Sequence, residues 1–196
     1  MDNNEVIILK KGDKVNIGFT NITVGLGWTP NEGTGAAFDL DVSAIMIGEN
    51  RMIPNKNFFV FFGNLTSPDG SLVHTGDDPD GKTSGGNDDE SIIVDLTKVD
   101  PSIKEILFVV TIEDAAGKKQ NFGQVRDSYI RLVDNNTNKE IFKYELGEDF
   151  SIETGVEFGR LYKRDNNWKF DASGIGYKED LAFFLGKYFT GTIVKQ

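Results

Sequence analysis

Short runs of β-branched and aromatic residues, broken every few positions by Gly, Asn and Asp, dominate this chain and commit it to sheet. They fall at 6–9, 14–19, 22–28, 37–47, 58–62, 91–96, 105–112, 129–134, 140–145, 156–164 and 168–172. Many short strands with turn signals between them point to a sandwich or barrel. Within 129–134, Tyr129, Arg131 and Val133 alternate with Ile130 and Leu132, the period of a half-buried strand. One segment breaks the pattern. From Tyr177 the apolar positions are Tyr177, Leu181, Phe184, Leu185 and Tyr188, which is helical spacing, with Glu179 and Asp180 near its start and Lys187 near its end, as the helix dipole favours. The expected fold is therefore all-β dominated: a two-sheet β-sandwich with a C-terminal amphipathic helix and short helical turns. Flexible linkers rarely concentrate carboxylates as 76–90 does, and no internal repeat is present, so residues 1–196 read as one domain.

Composition removes much chemistry. There is no Cys and a single His, which excludes disulfides, thiol nucleophiles, iron–sulfur clusters and zinc sites built from Cys or several His. The 21 Lys and Arg against 31 Asp and Glu leave a formal charge of −10, which disfavours nucleic acid and anionic membranes as partners. The longest apolar runs are five residues, far short of the roughly 20 of a membrane span. Met1-Asp2-Asn3-Asn4-Glu5 has neither the basic start nor the long apolar stretch of a signal peptide, so the expected compartment is the cytoplasm.

The acid is not spread evenly. Asp77, Asp78, Asp80, Asp88, Asp89 and Glu90, with Lys82 the one base among them, hold half of the net charge within 77–90. Gly81, Gly85 and Gly86 let that segment turn sharply. Crowded carboxylates repel unless a cation intervenes, and a set of oxygen donors nearly without nitrogen and sulfur favours Ca²⁺ or Mg²⁺. The segment is not an EF-hand: with Gly81 at the sixth position, Gly76 and Asn87 would occupy the first and twelfth. Asp39 and Asp41, two residues apart in a strand pattern, share one face, while Phe38, Leu40 and Val42 form an apolar face opposite. That pair reads either as an exposed polar strand face or as the complement of the acidic segment. No pocket signal separates the pKa values of two carboxylates for glycoside hydrolysis, and no serine nucleophile motif accompanies His74. His74 is expected to be a structural hydrogen-bonder or to support a ligand from behind. Trp28 and Trp168 are expected in the sandwich core rather than as sugar platforms.

Taken in order, Val24-Gly25-Leu26-Gly27-Trp28, Phe38-Asp39-Leu40-Asp41, Asn64-Leu65-Thr66-Ser67-Pro68-Asp69-Gly70, Val73-His74-Thr75-Gly76-Asp77 and Asp88-Asp89-Glu90 resemble the TerD-like tellurium-resistance and general-stress proteins. The resemblance continues through Phe108-Val109-Val110-Thr111-Ile112, Gln120-Asn121-Phe122-Gly123-Gln124-Val125 and Gly174-Ile175-Gly176-Tyr177, over nearly the whole chain. It implies a sandwich that binds Ca²⁺ at one end, with two ions expected, no catalytic activity, and partners among other proteins of the stress and tellurium-resistance system. By position it implies Asp39, Asp41, Asp77, Asp78, Asp88, Asp89 and Glu90 as metal-site residues, with Asn64 adding an amide oxygen. Two departures stand out. Gly76-Asp77-Asp78 replaces the family's Gly-Asp-Asn in a segment about two residues longer, so that Asp80 has little family support, and Gly63-Asn64 replaces a pair of Asn. The expected function is a cytoplasmic Ca²⁺-binding module for binding or assembly. The alternatives are a Ca²⁺-dependent membrane- or carbohydrate-binding module and, behind it, a metal-dependent hydrolase. Without a thiol, direct tellurite chemistry is disfavoured.

Overall fold

A computed structural model of the chain describes residues 6–82, 88–165 and 167–190. The strands among them are β1 (Ile7–Ile8), β2 (Lys14–Asn16), β3 (Asn21–Thr29), β4 (Leu40–Ile47), β5 (Phe59–Val60), β6 (Leu72–His74), β7 (Glu90–Asp95), β8 (Glu105–Ile112), β9 (Arg126–Asp134), β10 (Lys139–Glu145), β11 (Gly155–Arg164), β12 (Asn167–Asp171) and β13 (Ile175–Tyr177). Helical segments are α1 (Ala115–Lys118), α2 (Leu146–Asp149) and α3 (Leu181–Tyr188), with short 3-10 turns at Glu49–Arg51, Lys56–Phe58 and Phe122–Gln124. One sheet runs β1-β10-β9-β3-β7-β6; the other runs β2-β12-β11-β8-β4-β5, with β13 also on β11. This is the two-sheet sandwich that the strand pattern predicts. The N-terminal residues 1–5 lie outside the described residues, and no helix among those described is long and apolar enough to cross a membrane.

The strands show what each sheet faces. In β7 and β9 burial alternates, so Ile92, Val94, Ile130 and Leu132 enter the core while their neighbours stay partly exposed. In β4 and β8 every residue is buried. That sheet is covered twice, by the other sheet on one side and by α3 on the other. Phe184 of α3 fills the space above Gly155, and Lys187 and the Tyr188 hydroxyl both donate to the buried Glu157 carboxylate at 2.6 and 2.9 Å. Between the sheets, Phe108, Phe158, Phe170 and Phe142 follow one another with ring centroids 5.8, 6.0 and 4.6 Å apart, and Phe142 belongs to the opposite sheet. The β11–β8 register skips between Glu157 and Gly159, a bulge that inserts Phe158 into this row. Gly159 follows because a Cβ there would lie 2.4 Å from the Phe170 ring.

Two expectations need correction. The helix begins at Leu181, not Tyr177: the Asp180 carboxylate caps it by accepting the Phe183 N–H at 3.0 Å, while Tyr177 is extended in β13 opposite Gly155. Tyr177 fell in phase with the helix because its ring packs on Phe183 and Phe184, with centroids 5.4 and 5.2 Å away. The 37–47 segment joins the ladder only at Leu40, which leaves Phe38 and Asp39 just before the strand. The three-residue strands β6 and β13 carry too few residues to show a period.

Phe158 is 1% exposed at the centre of the aromatic row. Phe158→Ala should cost about 3–5 kcal/mol, read as a lowered urea midpoint at unchanged slope.

Candidate metal centre

The site is built where the second sheet runs out of strand. β5 pairs only with Ala44 and Ile45, so Val42, two residues further along the same edge, has no β5 partner. Side chains take its place. The Val42 N–H donates to Glu90 Oε2 at 2.8 Å, and the Val42 carbonyl lies 3.1 Å from His74 Nε2. The Gly76 N–H donates to His74 Nδ1 at 3.1 Å, so Nδ1 holds the lone pair and Nε2 carries the proton that Val42 receives. Glu90 and His74 are 1% and 2% exposed, with Nε2 3.6 Å from Glu90 Oε2. Burial pushes the Glu90 pKa up, and its bonds from His74 and Val42 pull the other way. His74 therefore has the structural role expected of it.

Directly beside this corner, Asp39, Asp41 and Asp77 each bring a carboxylate oxygen within 4.8 Å of the others. Two come from β4 and the residue before it, on the face opposite Leu40 and Val42; the third comes from the segment after β6. Asp41 is 2% exposed and its Oδ2 has no hydrogen-bond partner. Burial pushes its pKa up to about 8, and Glu90, Asp39, Asp77 and Glu113 push the same way. Asp39 is raised by partial burial, against the pull of Lys118, whose Nζ is 3.7 Å away. Thr111, opposite Asp41 in the β4–β8 register, and Ser43 also carry buried hydroxyl oxygens without a partner. A close set of carboxylate and hydroxyl oxygens with one orphaned, buried carboxylate oxygen fits a hard divalent cation. Among the described residues it is the one such group, where two ions were expected.

The other candidate residues are distributed differently. Asp88, Asp89 and Glu90 are adjacent in sequence but serve three separate partners. Asp88 is gripped by Arg131, with Nε on Oδ1 at 2.7 Å and Nη2 on Oδ2 at 3.1 Å, and the Tyr129 hydroxyl donates to Oδ1 at 3.1 Å. Asp89 extends the β3 edge: its N–H donates to the Leu26 carbonyl at 2.7 Å, and its Oδ2 accepts the Trp28 N–H at 2.8 Å. Glu90 serves Val42. Asp78 is buried and accepts the Gly81 N–H at 3.2 Å, whereas Asp80 pairs with Lys82 at 2.8 Å. The Asn64 amide nitrogen donates to the Asn57 and Phe59 carbonyls at 3.0 and 2.7 Å, fastening the turn that ends β5. Gly85 and Gly86 lie outside the described residues. Trp28 and Trp168 are both buried.

Sequence reasoning missed Glu113, Thr111, Ser43, Lys118, Tyr129 and Arg131. Thr111 reaches the site only through the β4–β8 register, Glu113 just beyond it donates its N–H to the Asp39 carbonyl at 2.8 Å, and Arg131 reaches Asp88 across 43 positions. The signal that could have pointed to Arg131 is the Gly25-x-Gly27 pair. A Cβ on Gly25 would fall 2.1 Å from Asp88 Oδ2, and one on Gly27 2.5 Å from the Tyr129 ring, so something must lie flat on β3 there.

Two outcomes follow from this electrostatic arrangement. With chelator present, thermal stability should fall as pH rises from about 4 to about 8. Folded Asp41 keeps its proton through that window while the unfolded group, at 3.8, loses it, so each rise in pH favours the unfolded chain. Glu90 adds to the same slope. Calorimetric melts of wild type and Asp41→Asn at pH 5, 6.5 and 8 should show the slope reduced in the variant; equal slopes would contradict the assignment. His74→Ala should cost about 1–3 kcal/mol in a denaturation titration, by leaving the Val42 carbonyl buried and unpaired.

The family model for the TerD domain matches residues 6–188. Tellurium resistance protein TerD of Serratia marcescens is 42% identical over 187 residues, covering 93% of this chain and 96% of that protein. General stress protein 16U of Bacillus subtilis (strain 168) is 42% identical over 188 residues, with 93% and 96% covered. A solved structure of a homologue of telluride resistance protein (TerD) from Streptomyces coelicolor A3(2) superimposes with a TM-score of 0.72 at 19% identity, covering 86% of this chain and 96% of that one, and so shares its fold.

Proposed function

The chain belongs to the TerD domain family of tellurium-resistance and stress-response proteins, and on that premise we propose that it is a non-catalytic Ca²⁺-binding module of the cytoplasm. The observation that carries the reading is the Asp41 carboxylate, buried with one oxygen unbonded and facing Asp39 and Asp77. Those three residues would hold the ion, with Thr111 and Ser43 as nearby oxygens. The cation would supply positive charge beyond that of Lys118, cancelling the repulsion and fixing the 76–82 segment as a surface for another protein of the same stress system. The non-catalytic part rests on what surrounds the acids. The chain's one imidazole has both nitrogens engaged in backbone hydrogen bonds, so it is not a free base beside the carboxylates.

Titration calorimetry should show Ca²⁺ binding in wild type, and Asp41→Asn should abolish or strongly weaken it. At 100 times its dissociation constant, Ca²⁺ should add about 2.7 kcal/mol of stability per site, and chelator should remove it. No heat and no shift in melting temperature would refute the reading. Binding should also release close to one proton at pH 7 and little at pH 9, because Asp41 is largely protonated below about 8 and binds the ion as the carboxylate. Calorimetry in buffers of different ionisation enthalpy measures that release; an identical heat in every buffer would exclude it.

A further inference from the structure

We propose that Arg131 is the positioning residue of this cation site: by clasping Asp88 against β3 it sets the closing end of the acidic segment. The inference rests on the Ca²⁺ reading and assigns a role inside it. Its basis is geometric. The guanidinium meets both Asp88 oxygens in a two-pronged pair, the Tyr129 hydroxyl adds a third bond, and Glu140 holds the far side of Arg131 at 3.0 Å from Nη1. Such forked pairs fix orientation as well as distance. The floor beneath is shaped for the carboxylate, since Gly25 leaves the space that its own Cβ would otherwise take.

What the clasp positions follows along the chain. With Asp88 seated on Gly25, the next residue reaches the open β3 edge at Leu26 and Trp28, and the one after turns Glu90 inward to Val42. Glu90 in turn holds, at 2.8 Å, the N–H of Val42, the residue next to Asp41 on β4. Arg131 therefore acts on the ion at one remove.

Two roles for Asp88 give opposite signs in one experiment. As a clasped anchor, Arg131→Met and Asp88→Asn each weaken Ca²⁺ binding by about three- to tenfold through lost preorganisation, and the double variant is no weaker than either single one. As a metal ligand, Asp88 would be released by Arg131→Met, which would then tighten binding or raise the stoichiometry, while Asp88→Asn alone would weaken it. Calorimetry with Ca²⁺ well below the melting temperature of each variant separates the two, and tightening overturns the proposal. An unchanged affinity with a lowered melting temperature also overturns it, because it reduces the clasp to general stability; Phe158→Leu is the matched destabilised control and should keep wild-type affinity. If Arg131→Met does not fold, Tyr129→Phe removes one bond to Asp88 and Gly25→Ala displaces the carboxylate, and both should weaken binding. Wild type that takes up no Ca²⁺ brings down the calcium reading and this inference together, whereas wild type that binds beside an Arg131→Met that binds equally well brings down only the clasp.

Discussion

The hydrogen bond from the Val42 N–H to the buried Glu90 carboxylate joins the two sheets at their open corner, and the site depends on it. A sandwich cannot leave a central strand's backbone groups unpaired in its interior, and β5 is too short to cover Val42. A carboxylate and an imidazole from the other sheet complete the ladder. That solution puts an anion where water is excluded, one residue from Asp41. Closing that corner thus sets the buried Glu90 carboxylate near Asp41, whose pKa burial and Glu90 both raise.

Seen this way, the excess of acid in 77–90 divides into parts with different physics. Asp80 meets Lys82 at the surface, where an ion pair contributes little. Asp88 meets Arg131 in a partly buried, forked pair, and Asp89 and Glu90 replace missing strand partners. Asp77 is the one drawn into the group with Asp39 and Asp41. Net charge alone gives no hint of this division, because each carboxylate is answered by something specific.

Much of the fold was legible because sheet periodicity is local. The segments at 105–112 and 129–134 announce themselves by composition and alternation, and Asp39 with Asp41 could be placed on one face from spacing alone. Apolar phase misled at Tyr177, where an aromatic ring contacts the helix from an extended strand. Adjacency misled at Asp88-Asp89-Glu90, where consecutive residues at a strand entrance point in different directions. What no local pattern holds is register. That Thr111 faces Asp41, and that Arg131 reaches Asp88 across β3, are consequences of which strands lie side by side.

The seating of the acidic segment on β3 bears on how freely its length can change. Gly81 lies against the Trp28 indole, where its Cβ would be 2.8 Å from the ring nitrogen, and Asp88 lies over Gly25, so the segment is pinned at two points on one strand. The entropy of closing a loop grows only with the logarithm of its length, and lengthening the six residues between the pins by two costs about 0.3 kcal/mol. Insertions and deletions between the two pins are therefore nearly neutral for stability and leave Asp77 and Glu90 where they are. The same change outside the pins would shift one of those carboxylates away from Asp41. Length variation in this chain has a permitted interval, bounded on one side by Gly81 against Trp28 and on the other by Asp88 over Gly25.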